Sequence, residues 1–420
     1  MSGFAPEKKN ARPSLASLIG PGLVTGAADD DPSGIASYSQ AGAAYGPNII
    51  WSLLLAFPFM AGIQEIAARI ARVTGHGLAH NLVHYYPAWL ARALIFLMVV
   101  ANICNLGADL AAMGSALALL IGGPEQLYTV GFALFSTALQ IYLRYDDYAK
   151  VLKWLTLSLL AYVGSACIVA VPWRTAALSL VWPHIEWSSH YATLVVATLG
   201  TTISPYLFFW QAGMEVERQH QSLRKAPHLA RVEITRIRWD TLIGMGLSTL
   251  IGAAIMFTTY GSLNLHGINN IESASQAAEA LRPIAGDFAF LLFAAGIIAT
   301  GLLAVPALAG AAAYAIAEAA CWPVGFDYKL EEAKKFYGVL IAATAIGTGL
   351  NFAGIDPMDA LVWAAVVNGI AAAPIMAALI RMARDWRVMG KLTITAGLAG
   401  NGWCGTILMG AAAAAMLLTL

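Results

Sequence analysis

Runs of about 20 apolar residues recur along the whole chain, and a run of that length crosses the hydrocarbon core of a bilayer as a helix. Eleven are legible, at 15–45, 48–71, 91–121, 127–142, 150–171, 190–216, 239–260, 284–320, 335–351, 357–380 and 392–418. In hydrocarbon every backbone N–H and C=O needs an internal partner, so spans of this kind are α-helices. Composition agrees: of 420 residues 59% are hydrophobic and 11% charged, against about 25% charged in a soluble domain. The expected fold class is an all-α polytopic membrane protein. Residues 1–14 read as a cytoplasmic segment with Lys8, Lys9 and Arg12 but no apolar core of its own, so no signal peptide is expected. Residues 15–418 read as a single transmembrane domain.

Lys and Arg set the orientation. With the N-terminus inside, internal segments hold Arg69, Arg72 and Arg92, then Arg144, Lys150 and Lys153. The loop from Arg218 to Arg238 follows, then Lys329, Lys334 and Lys335, and finally Arg381, Arg384, Arg387 and Lys391. External segments hold only Arg174 and Arg282. This bias places the N-terminus in the cytoplasm and the C-terminus outside a cell inner (plasma) membrane. The basic loop suits anionic lipid headgroups. A formal net charge of zero gives no sign of a nucleic-acid partner, and the four cysteines are scattered without CxxC spacing.

Asp29, Asp30 and Asp31 lie inside the first run, followed by Pro32, Ser33 and Gly34. Ionised carboxylates at membrane depth are costly and mark ion paths. Proline removes an N–H and leaves an upstream carbonyl without its partner. Carboxylates together with freed carbonyls make a cation site. The sixth run has the same character, Gly200-Thr201-Thr202-Ile203-Ser204-Pro205-Tyr206. Helices broken at matching places in two halves point to a binding site between the repeats. The expected architecture is therefore a 5+5 inverted repeat, about 15–171 and 190–380, with helices 1 and 6 broken and an additional helix at 392–418. No nucleophile and base lie near the breaks, so the chain is not expected to be an enzyme. Both candidate elements lie in one chain, which favours a monomer.

These motifs resemble those of the Nramp family of divalent metal transporters. Gly20-Pro21-Gly22 with Asp31-Pro32-Ser33-Gly34 is similar to its span-one signature, which ends Asp-Pro-Gly-Asn. Gly200 to Tyr206 is similar to its span-six signature, which ends Met-Pro-His. Asp109-Leu110-Ala111 and Asp356-Pro357-Met358 also fit. The resemblance implies a LeuT-like fold working by alternating access. It makes Asp31 the metal-binding aspartate, places Gly34 at the metal-binding asparagine, and gives Thr201 a carbonyl-ligand position. It also suggests Asn368 as a span-ten amide. Asp30 and Asp29 add negative charge, through water or along the approach, and Asp29 is expected to pair with Asn102, Asn105 or another polar group.

The departures carry the expectation about cargo. Ser204 stands where the family has a methionine whose thioether favours softer ions. Tyr206 and Gln211 replace histidines, and Ala112 replaces a glutamate near Asp109. Magnesium prefers oxygen ligands and keeps its waters, and the pattern resembles the Nramp-related magnesium transporter branch. The expected function is thus import of Mg²⁺, with Mn²⁺ also accepted, with little proton coupling. Asp109 and Tyr206 remain the possible proton path. The alternatives are a proton-coupled Mn²⁺ importer and, more remotely, a cation-coupled organic solute transporter of the same fold. No cofactor is expected beyond the transported ion. Glu65 and Glu318 are expected to pair with Arg69, Arg72 or other basic residues.

Overall fold

The computed structural model describes residues 21–143, 160–169, 171–221, 230–271, 274–282, 286, 289–354 and 356–419. The N-terminal segment 1–14, the start of the first expected run, residues 150–159 of the fifth, and Arg144, Lys150, Lys153, Arg224 and Lys225 lie outside them. The described chain is helical throughout: α1 Pro21–Asp29, α2 Pro32–Tyr45, α3 Pro47–Thr74, α4 Leu78–Tyr85, α5 Ala88–Ile121 and α6 Glu125–Tyr142. Next come α7 Leu160–Ile168, α8 Trp173–Val181, α9 Ser189–Thr202, α10 Pro205–Gln221, α11 Ala230–Ser262 and α12 Ala274–Glu279. The chain ends with α13 Ala289–Ala319, α14 Lys334–Leu350, α15 Pro357–Arg384, α16 Trp386–Met389 and α17 Ala396–Thr419.

Local chemistry sets the helix ends. Proline opens α2, α3 and α15, where its missing N–H costs nothing. Asp356 caps α15 by accepting from the Met358 N–H at 2.8 Å. Gly75, at φ 72°, ends α3 in the left-handed region that favours glycine. Pro58, Pro306 and Pro374 sit inside α3, α13 and α15 and bend them.

Among the described residues, eight helices are long and apolar enough to cross a membrane. They match the second, third and sixth to eleventh expected runs. The first expected run is divided into α1 and α2, of 9 and 14 residues, each short of a span by itself. The fourth is α6, 18 residues that include Glu125, Gln126 and Gln140. The fifth is represented only by α7.

The span 189–219 is 89% buried, whereas α17 is 28% buried. The α9–α10 pair is therefore central and α17 peripheral. Close backbone contact holds the centre together. A Cβ at Gly200 would lie 2.1 Å from the Ala365 carbonyl oxygen on α15, and one at Gly26 would lie 2.4 Å from the Gly244 backbone on α11. Small residues at such crossings let the backbones approach, which is how helices pack in membranes.

Candidate functional site

Two interruptions face each other in the middle of the molecule. Asp30 and Asp31 separate α1 from α2, and Ile203 and Ser204 separate α9 from α10. In each case two residues precede the proline that opens the next helix. Asp31 is the N-cap of α2. Its Oδ1 accepts from the Gly34 N–H and the Ser33 hydroxyl, both at 2.7 Å. Its Oδ2 accepts from Asn105 Nδ2 on α5 at 3.0 Å and lies 3.2 Å from the Tyr206 hydroxyl on α10. The carboxylate that caps α2 therefore has its direction fixed from three helices.

Across the gap, Thr201 Oγ1 lies 3.4 Å from Ser33 Oγ. A Cβ at Gly34 would lie 3.3 Å from Thr201 Oγ1 and 3.5 Å from Asp31 Oδ1. Any side chain at residue 34 would therefore crowd the space between Asp31 and Thr201. Tyr206 also reaches the Ala28 carbonyl, at 3.0 Å, the last turn of α1. Asp109, on α5 one turn beyond Asn105, is fully buried beside the same break. It interacts with the charge of Asp31 and with the Ser33 backbone, and neither of its oxygens makes a hydrogen bond of full geometry.

A family model described as natural resistance-associated macrophage protein-like matches residues 22–419. The chain belongs to the Nramp family. It is a membrane transporter, not an enzyme. A divalent metal cation transporter MntH of Klebsiella pneumoniae is 26% identical over 403 residues, covering 94% of this chain and 92% of that one. Its counterpart from Acidiphilium cryptum is 26% identical over 388 residues, 90% and 84% of the two chains. The fold is similar to that of the Eremococcus coleocola manganese transporter, with TM-score 0.73 at 15% identity over 98% of this chain and 88% of that one. It is also similar to Mhp1, a nucleobase-cation-symport-1 family transporter, with TM-score 0.58 at 14% identity over 98% and 94%.

Within this Nramp chain the other expected site residues divide. Asp29 and Asp30 face α11, where both reach the Ser248 hydroxyl, Asp30 at 3.0 Å. Of the polar partners expected for Asp29, it takes Ser248 and neither Asn102 nor Asn105. Asn105 serves Asp31, and Asn102 donates to the Leu308 carbonyl at 3.2 Å. The reason is helix rotation: successive residues point about 100° apart, so adjacent aspartates address different neighbours. Ser204, expected with Thr201 to offer a carbonyl or hydroxyl oxygen at or near the ion, has its hydroxyl engaged within the chain. The group folds back onto the Gly200 and Thr201 carbonyls at 2.7 and 2.9 Å, satisfying the exposed end of α9. Gln211 donates to Thr241 Oγ1 at 2.9 Å, away from Asp31.

Asn368 is fully buried on α15, next to the Gly369 that packs on Gly200, and neither atom of its amide is hydrogen bonded. Among the described residues no group of three or more His, Cys, Asp or Glu side chains converges to hold a metal ion. Any ion at Asp31 must therefore draw on carbonyls, amides, hydroxyls or water. Asn105, Ser33 and Ser248 were absent from the sequence-based site. Asn105 carried a signal, since it lies one turn before Asp109 and shares its helix face. Ser248 carried none.

Glu65 pairs with Arg69 as expected. Among the described residues Glu318 does not pair with a basic residue. Its carboxylate accepts from the Ala79 N–H at 3.1 Å, capping α4. The open first turn of that helix offers N–H groups that no other partner claims.

Proposed function

We propose that the protein carries divalent metal cations across the membrane by alternating access, with the ion bound at Asp31 between the two helix interruptions. The observation that carries this reading is the Asp31 carboxylate. It is buried, aimed by Asn105, Ser33 and Gly34, and set beside a gap that Gly34 leaves open toward Thr201. Carbonyls near Thr201 and the unbonded amide of Asn368 supply further oxygen. A buried amide with no partner is uncommon and calls for an ion or water. Asp29 and Asp30 lie one helix face away and add negative charge to the approach.

Manganese is the cargo we infer. The relatives are named divalent metal cation transporters, and the similar solved fold is named a manganese transporter. Manganese accepts oxygen ligands, which are what surround Asp31. The expected magnesium preference rests on Ser204 in place of a thioether, on room for water beside Gly34 and on resemblance to the magnesium branch, and the named relatives favour manganese over it. Proton movement through Asp109, with Tyr206 hydrogen bonded to Asp31, belongs to the same reading. We further infer that α1–α2 and α9–α10 are corresponding members of a 5+5 inverted repeat, with α17 outside it. The two-residue break followed by proline in each pair supports this.

The test is uptake into proteoliposomes of Mn²⁺, Mg²⁺ and Ca²⁺ under an inside-negative potential, with an internal pH dye. The expected result is Mn²⁺ entry with acidification, lost in Asp31→Ala; Asp109→Asn should remove the acidification. Mg²⁺ entry at equal or higher rate without acidification would return the magnesium reading.

A further inference from the structure

We propose a second metal site, separate from the transport path, at the turn joining α3 to α4. There the imidazoles of His76 and His80 chelate a borderline transition-metal dication such as Zn²⁺ or Ni²⁺. His76 lies in the turn and His80 in the first turn of α4, and the chain reversal at Gly75–Gly77 brings the two side chains together. The rings are stacked, 4.1 Å apart between centroids and inclined by 22°, and rotation about the side-chain bonds of the exposed His76 would turn a nitrogen of each toward one shared ion. His84 continues the row one turn on, 6.3 Å from His80 and nearly parallel at 11°. His76 and His84 are exposed and His80 is half-buried, so water can complete the coordination shell. Imidazole suits zinc, copper and nickel; magnesium and calcium prefer oxygen.

The platform under the rings is pinned. Asn81 Nδ2 donates to Thr74 Oγ1 and the His76 carbonyl, both at 3.0 Å, and to the Gly77 carbonyl at 2.7 Å. Thr74 Oγ1 in turn accepts from the His76 N–H at 3.2 Å. Glu318, reaching across from α13, caps the following helix. A turn held this way loses little freedom when metal binds. Partial burial and the neighbouring His76 and His84 hold the His80 imidazole below its ordinary pKa. At neutral pH it keeps the lone pair a metal needs. None of these residues contributes to the Asp31 site, and the transport reading leaves the histidine row without a role.

Equilibrium dialysis of untagged full-length protein in detergent micelles against Zn²⁺, with excess Mg²⁺ present, tests this. Wild type and Asp31→Ala should each retain a Zn²⁺ equivalent that Mg²⁺ does not displace. His76→Gln/His80→Gln should lose it while remaining monodisperse and helical. His80→Gln alone should weaken binding roughly tenfold or more, because the second arm of the chelate no longer acts at high effective concentration. Equal Zn²⁺ retention by the double variant would overturn the proposal. So would its loss in Asp31→Ala, or no Mg²⁺-resistant binding by wild type.

Discussion

Asp31 performs two jobs with one carboxylate. As the N-cap it satisfies the first turn of α2, and in the function we propose it also offers oxygen to the cation. Asp31→Asn keeps much of the cap and loses the charge, so this variant should keep its thermal stability within about 1 kcal/mol while metal uptake collapses. Equal loss of both would mean that Asp31 acts only as a cap. Asn105 aims the carboxylate without being needed to touch the ion. Asn105→Ala should weaken metal affinity by about 10–100-fold, as loss of outer-shell partners does, measured by the concentration dependence of Mn²⁺ uptake. Gly34→Ala should also lower affinity, since its methyl would stand 3.3 Å from Thr201 Oγ1 in the space the ion would use.

At the scale of elements, the site exists because four helices meet closely enough to bring short polar side chains together. Gly200 is the tightest of these crossings, with a Cβ position 2.1 Å from the Ala365 carbonyl. Gly200→Ala should force α9 away from α15 and destabilise the protein by about 1–3 kcal/mol, visible as a lower unfolding temperature in detergent. An unchanged transition would show that the two helices part without penalty. Both interruptions were legible in sequence, because proline after small or acidic residues at mid-span leaves carbonyls unpaired. Which aspartate faced which helix was not legible. Asp29, Asp30 and Asp31 are chemically identical, and only the rotation of α1 and the entry into α2 separate the Ser248 side from the Asn105 side.

At the scale of the whole molecule, an ion cluster at one end ties the two interrupted pairs to α11. Arg236 donates to both Glu215 oxygens on α10 at 2.9 and 2.7 Å and to Glu233 at 3.0 Å, and lies 3.6 Å from Asp240. Asp240 accepts from the Gly22 N–H at 2.9 Å, near the start of α1. Alternating access requires such contacts to break and re-form. Arg236→Ala leaves Glu215 buried without its main partner, which costs about 3–5 kcal/mol. Adding Glu215→Gln should recover part of that loss. Thermal unfolding of the single and double variants checks this, and no recovery would show that the pair is not coupled.

By itself the sequence determined the membrane class and the helical character, because each follows from local composition, and its motifs carried the family resemblance and singled out Asp31 as the expected ligand. Apolar run length sets the spans, lysine and arginine placement sets the expected orientation, and a carboxylate beside proline marks a broken helix. Tertiary structure alone decided the partners. Ser204 turned back onto the end of α9, Glu318 capped α4 in place of the expected basic partner, and Asn105 came to Asp31 from 74 residues away. A hydrogen bond is set by distance and direction between groups far apart in the chain. Those quantities come from how helices cross and rotate, which no local pattern of residues contains.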